Sequence, residues 1–332
     1  CLNPKISPEW ITKLRNAGSS LSLLHKGIEK EALRISPDGR LSQTSHPTAL
    51  GSPLTNPYIT TDFSESQLEL ITGVHSSTKS CLEELHNIQS FVYQNIGEQL
   101  LWPHSMPCQI NENESIPLAQ YGSTNIAQSK TIYRRGLHNR YGSLMQTISG
   151  IHYNFSIPEE CWIKLGFHEQ QARTQAYFDL IRNFRRWSWL LLYLFGASPM
   201  IPKRLADLSN DDQMLSLDAQ TLYKPYATSL RMSPLGYQSD AQNKLSISYN
   251  SLEEYVKGMK AALTQNHQKY EAIGLKKGAT YQQLNTSLLQ IENEFYGSIR
   301  PKRAPIKGER QITALETVSY THLRAHETKA NL

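Results

Sequence analysis

At 332 residues and a formal net charge of +5, the chain is long enough for one large domain or two modest ones. The mild, dispersed positive balance does not demand a nucleic acid and fits an enzyme that handles anionic small molecules. Cys1, Cys81, Cys108 and Cys161 form neither a CxxC pair nor a dense framework, which excludes a disulfide-stapled scaffold and points to reduced thiols and a cytoplasmic location.

No secretory signal is read at the start, which is Cys1 rather than Met, so the natural start is expected upstream. Ser7-Pro8-Glu9 predicts a short helix to about Asn16, with proline in its first turn. Gly27–Ile35, GIEKEALRI, is composed of helix formers. The turn signal Ser36-Pro37-Asp38-Gly39 and the resumption at Arg40-Leu41-Ser42 favour strand, turn, strand. On a strand, Glu29 and Glu31 point the same way. Two carboxylates crowded on one face repel unless a cation sits between them, and oxygen ligands suit Mg²⁺. Taken alone, the stretch reads first as a solvated hairpin with exposed glutamates, because charged residues usually face water.

Thr44–Pro57 reads as a loop. Ile59–Val74 predicts an extended segment with Glu65, Gln67 and Glu69 on one face, Leu68 and Leu70 on the other, and Asp62 just ahead. Acids on both stretches favour metal. Ser80–Leu101 predicts an amphipathic helix, ended by Trp102-Pro103. Tyr133–Tyr141 interleaves arginines with tyrosines, a pattern for carboxylate or phosphate capture and a weak one for nucleic acid. Ser143–Pro158 predicts a strand. Ile151, Tyr153, Phe155 and Ile157 form its apolar face; Gln146, Gly150, His152 and Asn154 line the other. His152 on that polar face is either a ligand or a structural residue.

Glu169–Phe195 predicts a long helix whose apolar end, Trp187–Phe195, is too short to span a bilayer and is expected to be buried. Asp207–Asp218 reads as a polar loop, and Lys224–Tyr237 as an irregular segment carrying Arg231 and Tyr237. Ser251–Glu254 is a capping box opening a helix to about Ile273. Leu288–Arg303 predicts a strand with Gln290, Glu292, Glu294 and Tyr296 on one face, followed by the basic run Arg300–Arg303. No P-loop and no Rossmann glycine pattern is present. The segment Val318–Leu332 begins VSYTHLRAHET, one reading frame of a transposon-end adapter used in preparing sequencing libraries. Residues 318–332 are therefore expected to be a non-native tail, and residues 1–317 an incomplete catalytic domain.

From about Gly27 to Arg303 the chain resembles the bacterial type of glutamate–cysteine ligase. The stretches that carry the resemblance are GIEKEALRI, ITTDFSESQLELIT, LWPHSMPC, LAQYGSTN, NRYGSLMQTISGIHYNFS, YLFGASP, PYATSLRMSPLGY and LLQIENEFYGSIRPKR, in that order. The resemblance implies an α/β fold: a curved, largely antiparallel sheet with outer helices, similar to glutamine synthetase and the guanidino kinases. It implies ATP- and Mg²⁺-dependent ligation (Mn²⁺ as a substitute) of the L-glutamate γ-carboxylate to the L-cysteine amine, the first step of glutathione synthesis. A cytoplasmic monomer with no nucleic-acid or membrane partner goes with that reading. It further implies that Glu29, Glu31, Asp62, Glu69 and His152 form a metal shell. Arg231 would clamp the substrate glutamate, with Arg231 and Glu31 catalytic. Phe63, Tyr133, Arg134, Leu137, Gln146, Tyr237 and Tyr296 would wall the cysteine pocket. The family's next strand, with a metal-binding glutamate near a phosphate-contacting arginine, is expected just after Thr317, where the tail begins, so the fragment is expected to be inactive. Other readings are a different carboxylate–amine ligase of the same fold, or a non-catalytic metal-binding fragment.

Overall fold

Apolar and polar residues alternate along the main strands, and that alternation gives the central sheet one dry face and one polar face. A computed structural model describes residues 7–196, 198–207, 213–233, 241–242, 245–303 and 312–319. The strands are β1 (His25–Ile35), β2 (Ile59–Thr61), β3 (Gln67–Ile71), β4 (Leu100–Leu101), β5 (Ile151–Ser156), β6 (Met200–Pro202), β7 (Leu215–Ser216), β8 (Thr221–Tyr223), β9 (Lys276–Lys277), β10 (Thr280–Tyr281), β11 (Ile299–Arg303) and β12 (Ile312–Ser319). The helices are α1 (Pro8–Ala17), α2 (Thr78–Asn95), α3 (Asn125–Tyr141), α4 (Glu159–Lys164), α5 (Gln170–Phe195), α6 (Lys203–Ala206), α7 (Leu252–Thr264) and α8 (Gln268–Ile273).

The main sheet runs β11-β12-β5-β1-β3-β2, with β4 also on β1, and every described pairing in it is antiparallel. The fold is thus mixed α/β with antiparallel sheets, as expected. On the dry face, Ala32, Leu68 and Leu70 pack against Leu85, Ile88 and Val92 of α2. Further along, Ile299, Ile312 and Leu315 pack against Tyr177, Phe178 and Ile181 of α5. Ser77 caps α2 by accepting from the Ser80 amide, and Thr124 caps α3 by accepting from the Ala127 amide. Ser251 caps α7 by accepting from the Glu254 amide, and the predicted helix to Ile273 breaks after Thr264 and resumes as α8.

Several predicted elements are shorter or broken. The Ile59–Val74 segment is a hairpin rather than one strand, with Asp62–Ser66 as its turn. Glu65 therefore leaves the shared face, and its carboxylate accepts from the backbone amides of His46 (2.9 Å) and Gln120 (2.8 Å). The Ser143–Pro158 strand starts only at Ile151, because Met145–Thr147 closes a 3₁₀ turn. Helix α2 ends at Asn95, and the rest of its predicted length includes β4.

Leu288–Arg303 is mostly not a strand. A 3₁₀ turn covers Glu292–Glu294, and only β11 is extended. Side chains compete with the ladder there: Glu294 accepts from the Gln290 amide at 2.6 Å, and Asn285 donates to the Gln290 carbonyl at 3.0 Å. The apolar end of α5 is also corrected. Trp187, Trp189, Tyr193 and Leu194 are exposed, Tyr193 by 70%. An all-round apolar helix end signals a surface that favours burial, but sequence does not say whether a partner element lies over it. The backbone of Val318 and Ser319 continues β12 opposite His152 and Ile151. Tyr237 and residues 320–332 of the predicted tail lie outside the described residues.

Candidate active site

Strand register builds the polar face. Glu31 pairs across β1–β3 with Glu69, and Glu29 pairs across β1–β5 with His152. Strand β12 adds Glu316 opposite Asn154, and β11 adds Arg300 opposite Glu316. Glu29 receives hydrogen bonds from Asn154 Nδ2 and Lys302 Nζ, both at 2.9 Å. His152 Nδ1 lies 3.1 Å from Glu29 and 3.3 Å from Glu316; its Nε2 lies 3.5 Å from Glu31. Lys302 also reaches Glu316, at 2.6 Å, and Arg300 is paired with the same carboxylate. Glu31 accepts from the Gly150 amide at 2.7 Å.

The electrostatics follow from packing like charges into a dry place. Burial, then the Asp62 carboxylate, pushes Glu31 up to about 7. Burial, then Asp62, Glu29 and Glu31, holds Glu69 well above the usual carboxylate range. Glu29 goes the other way: burial opposes its ionisation, but the His152 hydrogen bond and the Lys302 charge outweigh it. Burial alone would lower His152; its bond to Glu29 and the charges of Glu31 and Glu316 lift it to about 9. Raised carboxylates beside one another are what a cation would relieve. One ligand atom each from Glu29, His152 and Glu316 lies within 4.8 Å of the others. A carboxylate-rich set with one imidazole fits a hard divalent ion such as Mg²⁺ or Mn²⁺.

A cavity of about 150 Å³ opens beside this cluster. Glu31, Asp62 and His152 line its floor; Phe63, Gln146 and Arg231 line it as well. Tyr133, Arg134 and Leu137 project from α3, where a spacing of three to four residues puts side chains on one face. Tyr296, Gly297 and Arg300 close the far side. Arg231 is buried and donates to Ser105 Oγ at 3.0 Å and to the Ser149 carbonyl. Arg134 is partly committed to structure, since it donates to the Asp62 carbonyl and stacks 4.6 Å from the Tyr121 ring centre.

The sequence matches the family described as glutamate-cysteine ligase over residues 11–330. The chain belongs to the glutamate–cysteine ligase family. It is 49% identical over 324 residues to the glutamate–cysteine ligase of Alcanivorax borkumensis, covering 93% of this chain and 61% of that protein. It is 50% identical over 323 residues to that of Pseudomonas entomophila, covering 94% and 61%. The crystal structure of the Francisella tularensis glutamate–cysteine ligase in complex with AMP is similar at a TM-score of 0.83 and 40% identity, over 89% of this chain and 61% of that one. The chain thus spans about three fifths of the length of the relatives it matches.

In this glutamate–cysteine ligase family member, Glu29, Glu31, Asp62, Glu69 and His152 stand together on or beside one sheet face. Every described residue of the predicted cysteine pocket lines the one cavity. Sequence reasoning missed three charged residues of the cluster. Glu316 stands in the cluster, and Arg300 and Lys302, whose basic run reads equally as a nucleotide contact or as structural ion pairing, pair with it. The alternation Arg300, Lys302 across Pro301 was the available signal, since i and i+2 on a strand share a face.

Proposed function

We propose that this site joins the γ-carboxylate of L-glutamate to the amine of L-cysteine at the expense of ATP, through a γ-glutamyl phosphate. The observation that carries the reading is a buried guanidinium and an aromatic-walled cavity set directly against a carboxylate–histidine cluster, in a chain of the glutamate–cysteine ligase family. A carboxylate is a poor electrophile because oxide is a poor leaving group; phosphorylation supplies a better one. Phosphoryl transfer asks a protein mainly for positioning and charge neutralisation. We assign Glu29, Glu31, Asp62, Glu69, His152 and Glu316 to holding divalent cations, which when bound would screen the phosphate oxygens.

The chain's own groups do the rest. Arg231, held by Ser105 and Ser149, neutralises and orients the glutamate carboxylate. Phe63, Tyr133, Leu137 and Tyr296 line the space for the amine substrate, and Gln146 offers it a polar contact. Arg300 and Lys302 are placed to take anionic oxygens where they now hold Glu316. The AMP in the Francisella structure supports a nucleotide as the third substrate. The finer fold likeness to glutamine synthetase and the guanidino kinases, the cytoplasmic location and the monomeric state belong to the same reading.

An amine panel tests it. In the gene completed beyond Thr317 to the length of its relatives, with ATP, Mg²⁺ and L-glutamate, L-cysteine is expected to be preferred over L-alanine and ethanolamine, and Glu31→Gln is expected to abolish ADP formation. Equal use of the three amines would move the assignment to another carboxylate–amine ligase. Near-normal turnover by Glu31→Gln would remove the cluster from the chemistry.

A further inference from the structure

The cavity has two walls of different origin. One is helical: Tyr133, Arg134 and Leu137 on α3. The other is the irregular loop that carries Asn293 to Gly297. A loop wall holds position only if its polar backbone and side chains find fixed partners. Here they find them one helical turn below the cavity, on the same α3 face.

The central contact is Arg140–Glu294, at 3.2 Å, with both side chains fully buried. Glu294 also accepts from Tyr141 OH at 2.7 Å and from the Gln290 amide at 2.6 Å. Arg140 donates to Gln283 Oε1 at 2.9 Å and to the Asn285 carbonyl at 2.7 Å, and lies 4.1 Å from the Tyr270 ring centre. Gln290 crosses α3 where residue 136 is glycine and donates to the Tyr133 carbonyl at 3.2 Å. A Cβ at Gly136 would stand 2.0 Å from Gln290 Oε1. Gln242 then brackets the loop, donating to the Glu294 carbonyl at 2.9 Å and accepting from the Tyr296 amide at 2.8 Å. Glu294 touches the cavity lining but has no exposed side-chain surface, so the geometry gives it ion pairing and not ligand contact.

We propose that the Arg140–Glu294 pair and the Gln290–Gly136 contact form a clamp that sets the separation between the α3 wall and the Tyr296 wall, and so restricts the amine substrate to a short side chain. This rests on the function proposed above. A buried ion pair is a weak source of net stability, because desolvation offsets the attraction, but it allows one geometry where apolar contacts tolerate slippage. Arg140 and Glu294 are positioning residues: they act on the amine through Tyr133, Leu137 and Tyr296. Arg231 is held by Ser105 and Ser149, away from α3, so L-glutamate affinity serves as the control.

The test is equilibrium titration of the protein, with Glu294→Gln and Gly136→Ala beside it, using L-cysteine, L-norvaline and L-glutamate as separate probes. Both substitutions are expected to weaken L-cysteine binding about tenfold and to reduce the preference for L-cysteine over the longer L-norvaline. L-Glutamate affinity is expected to stay within twofold. Should Glu294→Gln fail to fold, Gly136→Ala carries the test, since alanine is the better helix former. Unchanged cysteine affinity in the folded variants overturns the clamp, as does a parallel loss of cysteine and glutamate binding, which a merely structural role would give. If the unaltered protein binds neither amino acid, the functional reading itself is overturned, and the clamp with it.

Discussion

Glu31→Gln makes the sharpest demand on the electrostatics. Moving a carboxyl from 4.5 to about 7 costs the folded state roughly 3 kcal/mol once the group ionises, at about 1.4 kcal/mol for each tenfold change in proton affinity. The folded affinity for the proton is the higher one. The protein without divalent cation is therefore most stable with Glu31 protonated, below about 4.5. It loses stability as pH rises through about 7. His152 adds to the same trend above neutrality, because its elevation to about 9 contributes stability that disappears as pH rises through that value. Gln at position 31 keeps an acceptor for the Gly150 amide and cannot ionise. In chelator, Glu31→Gln should gain roughly 2–3 kcal/mol over the parent at pH 8 and about nothing at pH 4.5. Adding Mg²⁺ or Mn²⁺ should stabilise the parent at pH 8 more than the variant, because the cation relieves the charge that the substitution removes. Urea unfolding at pH 4.5, 6, 7 and 8 measures it. A parent and variant with parallel pH profiles would refute the reasoning.

Three further outcomes follow from single contacts. Gly150→Ala places a Cβ 3.0 Å from an Arg231 Nη atom and 3.3 Å from His152 Nε2, so L-glutamate affinity should fall about tenfold, roughly 1.4 kcal/mol, by calorimetry. Lys302→Met removes a cation that competes for Glu29 and Glu316, so Mn²⁺ affinity measured by paramagnetic resonance should rise about fivefold, or roughly 1 kcal/mol at this partly exposed position. Arg34, fully buried, donates to Thr44 Oγ1, Gln99 Oε1 and the carbonyls of Thr44, Ser45 and Glu65; Arg34→Met should cost about 3 kcal/mol or more in urea unfolding by leaving those acceptors unmet.

The site was more legible in the sequence than the fold around it. Period-two alternation put Glu29 with Glu31 and His152 with Asn154, because a strand face is a local property. The turn at Asp62–Ser66 kept Asp62 beside the site while sending Glu65 to cap backbone amides, and alternation alone could not foresee that. Glu294 read as a polar strand residue. Its role as a buried anchor depends on Arg140, far away in sequence, and no local pattern carries that contact. The same limit explains α5, whose apolar end is plain in the sequence while its exposure is a property of its neighbours. Glu316 was missed because its place opposite Asn154 is set by the long-range pairing of β12 with β5, which no local pattern carries.

The central claim is acyl phosphate chemistry at this cavity, and isotope transfer tests it most directly. L-Glutamate carrying ¹⁸O in its γ-carboxylate is incubated with the protein completed beyond Thr317 to the length of its relatives, L-cysteine, ATP and Mg²⁺, and both products are read by mass spectrometry. The account predicts γ-glutamylcysteine together with inorganic phosphate containing one ¹⁸O, with neither formed by Arg231→Met. Dipeptide without label in the phosphate, or ATP cleaved with no dipeptide formed, would contradict it.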